Sequence, residues 1–214
     1  MRRWLDGMAA LAGVPRAGRL VRLGGFALAA ALAGCASAPQ EHFYSLSSGM
    51  EAASGAANPG YYIEVQAVSV PQQVARSQLV VTSGAGRIDV LEQERWASPP
   101  AAEIGQALSL AVSGALGTID VFRTQPPEKA SVYRISSSVQ RFESAPGQYA
   151  LLDMVWSVRL AGSPQVLTCR SVAREDVGAG YDALVAGHRR AVARVAADIA
   201  NGVRSQVAGR GVCP

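Results

Sequence analysis

Histidine and cysteine, on which much metal and nucleophile chemistry depends, are nearly missing: the 214 residues hold two histidines and three cysteines. His42 and His188 stand far apart and lie in no ligand pattern, which argues against a metal centre. The chain has no G-x-S-x-G elbow, phosphate loop, dinucleotide fingerprint or H-E-x-x-H, so the common hydrolase, nucleotide-binding and metalloprotease classes lose support. Gly84-Ala-Gly86 has no helix after it to hold phosphate and reads as a turn. No enzyme, no metal and no dissociable cofactor is expected. A long apolar run is lacking too: the segment Leu23–Gly34 falls well short of the roughly 20 residues that span a bilayer. Charge is sparse at 17% against 49% apolar residues, a balance that excludes an intrinsically disordered chain. Five arginines against Asp6 in residues 1–34 account for the whole net charge of +4. The rest carries fifteen residues of each sign, so the pI near 9.2 is no sign of a nucleic-acid partner.

What is present begins with an export signal. An arginine-bearing stretch to Arg22 precedes the Leu23–Gly34 apolar segment, the pattern of a signal peptide over residues 1–34. Leu32-Ala33-Gly34-Cys35 closes it and resembles the lipobox of bacterial lipoproteins. Cys35 supplies the thiol that takes diacylglycerol, and small residues before it admit the processing enzymes. One acyl chain binds a membrane marginally while two or more anchor stably, so the three chains that the resemblance implies need no spanning helix. Ala36 stands where an aspartate commonly retains lipoproteins in the inner membrane, which favours an outer-membrane anchor facing the periplasm.

Residues 35–60 read as the lipidated cysteine and a flexible tether rich in Ala, Ser, Gly and Pro. Within it His42-Phe-Tyr-Ser-Leu46 alternates like a first strand, so the domain begins near residue 42 or at 61. Residues 61–214 form the globular domain. Tyr61–Val70 alternates until Pro71 stops it, and Gln78–Ser83 and Arg87–Glu92 flank the glycine turn as a hairpin. Ser98-Pro99-Pro100 offers a cap and early prolines for a helix over 99–116, with Ile104, Leu108, Ala111, Val112, Ala115 and Leu116 on one side. Strands over about 131–143, 148–161 and 165–177 make a meander around Pro146-Gly147 and Gly162-Ser-Pro164. A last helix, about 182–207, carries a stripe of Leu184, His188, Ala191, Val192, Val195, Ile199 and Val203. The predicted class is α+β: an antiparallel sheet with two main helices packed on one face.

Cys169 and Cys213 are the thiols left once Cys35 is acylated, and in an oxidising compartment they are expected to pair. The alternative is a buried Cys169 and a loose Cys213. His188 reads as structural. Glu92 and Glu94 share one face of a strand end and read as solvated rather than as an acid pair.

Val68-Ser-Val-Pro71, Ala75-Arg76-Ser-Gln78-Leu79-Val80 and Glu94-Arg95-Trp96-Ala97, in that order after a lipobox and a Phe-Tyr-Ser-Leu strand, resemble the ABC-type transport auxiliary lipoproteins. That family includes PqiC of the paraquat-inducible transport system. The resemblance implies a non-enzymatic part of a lipid transporter that works with an MCE-domain conduit protein and inner-membrane components. It implies phospholipid or another hydrophobic cargo, a role in membrane integrity, and a homo-oligomeric ring. Pro71, Arg76, Gln78, Leu79, Arg95 and Trp96 become the motif residues, for structure or for partner contact. Core packing suits Trp96, which would pin the first helix to the sheet, and Arg76 would brace the 71–78 loop by hydrogen bonds. A free-standing lipid-binding or envelope-stress lipoprotein is the second reading; the small residues of both helices favour close packing over an enclosed cavity.

Overall fold

Alternation and helical periodicity locate most elements of the chain, while strand direction comes from tertiary pairing. The computed structural model describes residues 39–50 and 59–214; the expected signal peptide, Cys35 and the tether residues 36–38 and 51–58 lie outside these. The strands are β1 (His42–Tyr44), β2 (Tyr61–Val65), β3 (Gln78–Gly84), β4 (Arg87–Trp96), β5 (Ser131–Ala145), β6 (Tyr149–Leu160) and β7 (Leu167–Asp176). The helices are α1 (Pro100–Leu116) and α2 (Tyr181–Val207). Gln40–Pro214 make one compact unit.

The class is α+β, with the strands divided between two mixed sheets. One runs β1-β4-β3 and the other β2-β5-β6-β7. The expected hairpin and meander are antiparallel, but β1 joins β4 and β2 joins β5 in parallel. Parallel neighbours need a long crossover, and the β3–β4–α1 segment supplies it between β2 and β5. Alternation reports which face is buried and carries no direction, so this arrangement was not in the pattern. The expected strand 61–70 leaves the ladder after Val65, where the Gln66 N–H still donates to the Ile135 carbonyl at 2.9 Å, and bridges to β5 again at Ser69, opposite Ser138.

Helix α1 starts one residue later than expected, and Ser98 does not cap it. The carbonyl of Pro99 accepts from the N–H groups of Ala102 and Glu103 at 2.8 and 3.2 Å. Gly117, at φ 64°, ends the helix in the left-handed conformation that glycine adopts without strain. Ile104, Ala107, Leu108, Val112 and Leu116 are its buried stripe; Ala115 is exposed. All seven stripe residues expected on α2 are buried.

Helix α2 lies on the core face of β6 and β7 at close range because two of its positions lack a side chain. A Cβ at Gly202 would fall 2.5 Å from the Trp156 ring, and one at Gly187 would collide with Val177 and crowd Ala150. Trp156 is 1% exposed, and its indole N–H donates to Ser171 Oγ at 3.0 Å. Ser171 in turn donates to Asp198 of α2 at 2.7 Å. The opposite face of the antiparallel β5–β6–β7 part of this sheet carries charged residues, as a ladder covered on one side allows. There Arg170 grips the buried Asp153 with two bonds of 2.8 and 2.7 Å and holds its carboxyl below the usual range, while Arg174 sits 3.5 Å over the Tyr149 ring.

Cys169 of β7 and Cys213 are disulfide-bonded across a separation of 44 residues, with Cα atoms 5.8 Å apart. The bond staples the segment after α2 to the sheet, so Cys213→Ser should cost about 4 kcal/mol by loop entropy, read as a drop in urea midpoint. Gly202→Ala should destabilise the fold by about 1–3 kcal/mol through overpacking on Trp156, whereas Gly86→Asn in the hairpin turn should change stability far less, by calorimetry.

Candidate functional site

Three runs far apart in sequence meet at the last residues of β4. Pro71, at φ −57°, opens a short 3-10 turn over Gln72–Val74, closed by Val74 N–H donating to the Pro71 carbonyl at 3.1 Å. The turn buries Val74 and reverses the chain into β3. Gln78 then pairs with Arg95, and the Trp96 N–H donates to the Ser77 carbonyl at 2.7 Å. On the other side Tyr44 pairs with Trp96, and the Ala97 N–H donates to the Tyr44 carbonyl at 2.7 Å. The backbone around Trp96 is therefore bonded to β1 on one side and to the β3 entry on the other.

Paired residues share a face of the sheet, which sorts these side chains. Trp96 turns inward and is 3% exposed, its ring 5.9 Å from both Phe142 of β5 and His188 of α2. It pins the small sheet to β5 and α2 through these ring contacts, in the same core cluster as Ile104 and Leu108 of α1. Leu79 is fully buried and serves the core. The outward row is Phe43, Arg95 and Gln78, and Phe43 is 61% exposed. Arg95 donates to the Glu92 carbonyl at 2.9 Å and faces Glu41 at 3.5 Å. Arg76 is exposed, and its side chain has no partner among the described residues, so it does not brace the 71–78 loop. That loop is held by its own backbone.

Beside this row an open depression of about 660 Å³ is lined by His42, Tyr44, Glu94, Asp182 and Arg189, with Phe43 at its edge. Glu94 is not solvated as expected: Tyr44 donates to it at 2.6 Å and His42 Nδ1 lies 3.0 Å away. Burial, then the Glu94 carboxylate, pushes the Tyr44 hydroxyl pKa up. Arg189 donates twice to the Ser45 carbonyl, at 3.0 and 2.7 Å, and the buried Glu103 of α1 accepts the Leu46 N–H at 2.8 Å. Residues 42–46 are thereby fastened to both helices and to β4. The outward Phe43 was legible in principle, since adjacent strand residues point to opposite faces and only one of Phe43 and Tyr44 can reach the core.

Sequence reasoning also missed a Ser–His contact, Ser144 Oγ lying 2.8 Å from His188 Nε2. It resembles a nucleophile and its base, yet both residues are buried and His188 Nδ1 has no partner to orient it. The imidazole stacks on Phe142 at 4.2 Å between centroids, and burial drives its pKa down to about 3. A neutral, enclosed imidazole is a packing element here. No group of three or more His, Cys, Asp and Glu residues is placed to hold a metal among the described residues.

His188 makes acid sensitivity a test of this junction. The unfolded chain takes up its proton below about pH 6.5 and the folded chain only near 3, so its stabilisation is complete above 6.5 and is lost as pH falls. Between pH 6.5 and 4.5, above the ordinary carboxylate range, unfolding free energy should drop by as much as about 1.4 kcal/mol per pH unit. His188→Gln should flatten that slope in chemical denaturation series.

No curated protein matches the chain. Two solved structures share the fold at 17% identity, each covering 77% of this chain and 99% of its own. One is a crystal structure of an uncharacterized protein, with a TM-score of 0.64. The other is a Xanthomonas campestris protein of the DUF330 family, with a TM-score of 0.55. Residues 44–200 match the family model described as the ABC-type transport auxiliary lipoprotein component, from the strand beside Trp96 to the core of α2. The chain belongs to the ABC-type transport auxiliary lipoprotein family.

Proposed function

We propose that this protein is the lipid-anchored, non-enzymatic periplasmic component of an envelope transporter, holding the end of an MCE-domain conduit at the outer membrane. The family match over residues 44–200, set nine residues after the lipobox cysteine, is the observation that carries this reading. Acyl chains on Cys35 fix the domain to the membrane, and inner-membrane ABC components drive phospholipid or another hydrophobic cargo through the conduit. Copies of the domain assemble into a ring that suits a tubular partner.

The fold adds a physical constraint. Because β1 is built into a sheet from His42 onward, only six residues separate the first fixed strand from Cys35, seven backbone steps in all. Fully extended they reach at most about 25 Å, so the domain works close against the membrane surface. The outward row of Phe43, Arg95 and Gln78, with Arg76 nearby, is the surface offered to the conduit. An aromatic flanked by arginines is the composition of an interface centre.

A photo-crosslinker at Phe43 in intact envelopes should capture the MCE-domain protein, identified by mass, and Arg95→Glu should reduce the yield at least fivefold. Capture of that protein at equal yield from Val172, on the far face of β7, would remove the assigned surface. Cys35→Ser should release the protein from the membrane fraction.

A further inference from the structure

A groove lies away from the Trp96 junction, between α1, the segment that follows β2, and the Asp120–Arg123 turn. Its volume is about 760 Å³, within the range of small-molecule sites. Val65, Val68, Ala101, Gly105, Leu110 and Phe122 give it a mainly apolar lining. Gly105 lines the groove without a side chain, and a Cβ there would sit in ordinary contact with Val68 at 3.5 Å. Among the residues of α1 the only charged one is Glu103, which is buried, so the helix shows the groove no charge at all. Phe122 is 40% exposed at the rim and Ile119 nearby is 63% exposed, an apolar surface left open to water.

Two charged groups border the groove, and they are used differently. Asp120 is fully engaged: Oδ1 accepts the N–H groups of Val65 and Phe122 at 3.1 and 2.9 Å, and Oδ2 accepts the Ser109 hydroxyl at 2.6 Å. It knots the turn to α1 and β2. Arg123 at the mouth is exposed, and its side chain has no partner among the described residues. An apolar channel with one unspent guanidinium at its entrance complements an acyl chain that ends in an anionic head, because arginine pairs carboxylate or phosphate through two parallel bonds.

We infer that this groove binds one acyl chain of an anionic amphiphile, its methylenes along α1 and its head group on Arg123. The inference deepens the transport reading by naming a class of cargo that the domain itself contacts, and for cargo it rests on that reading. The groove is open along its side, so a chain can enter and leave without the core opening.

The test is calorimetric titration of the full chain, carrying Cys35→Ser so that no covalent lipid is present, with palmitate below its micelle concentration. Saturable one-to-one binding is expected, at least tenfold weaker for hexadecyltrimethylammonium, which has the same tail and the opposite charge. Arg123→Glu, at an exposed position, should weaken palmitate at least fivefold with the melting temperature unchanged, and Ala101→Trp should abolish binding by filling the channel. Palmitate that fails to saturate, or binds both variants like the parent, would overturn the inference. If palmitate fails while the Phe43 crosslink still captures the MCE-domain protein, the groove assignment falls and the transport reading stands.

Discussion

Burial of one tryptophan holds the two sheets to each other. Trp96 ends β4 with its backbone bonded to Ser77 and flanked by the Tyr44–Ala97 bond, while its ring packs on Phe142 and His188. Removing such a ring costs about 3–5 kcal/mol in a packed core, a large share of the 5–15 kcal/mol that a domain commonly has. The same residue sets the register of β1, aligns Gln78 with Arg95, and closes the site of the neutral His188. A fault there would loosen the N-terminal strand, the outward row and the seat of α2 at once.

What the sequence revealed follows from what short-range patterns encode. The stripe of α2 repeats every three or four residues and was complete, down to His188. The hairpin around Gly84-Ala-Gly86 and the meander from residue 131 were legible because turn residues punctuate alternating strands. Parallel pairing was hidden, since nothing in His42–Tyr44 or Tyr61–Val65 specifies which distant strand each will join. The motif residues also divide by physics. Leu79 and Trp96 belong to the core and Pro71 to a turn, while Arg76, Gln78 and Arg95 reach the surface. The partners of Glu94 lie about fifty positions upstream, so local alternation read it as solvated.

In the proposed function anchoring and docking converge on β1. Its inner side chains are tied to Glu94, and the backbone of the following Ser45 and Leu46 to Arg189 and Glu103, by hydrogen bonds, while its outward Phe43 stands free on the surface. In the proposed function the strand nearest the lipid also carries the contact aromatic, so membrane distance and partner geometry are set by one short element. A longer tether would let the domain wander, whereas a strand locked into the sheet fixes its height.

That lock is open to direct measurement by amide hydrogen exchange on the full chain. The N–H groups of Leu46, Trp96 and Ala97, bonded to Glu103, Ser77 and Tyr44, should exchange only with global unfolding, together with the β5–β6 ladder. If Leu46 and Ala97 instead exchange within seconds, as an unbonded surface amide does, residues 42–46 are part of the tether and the account of a strand-locked domain fails.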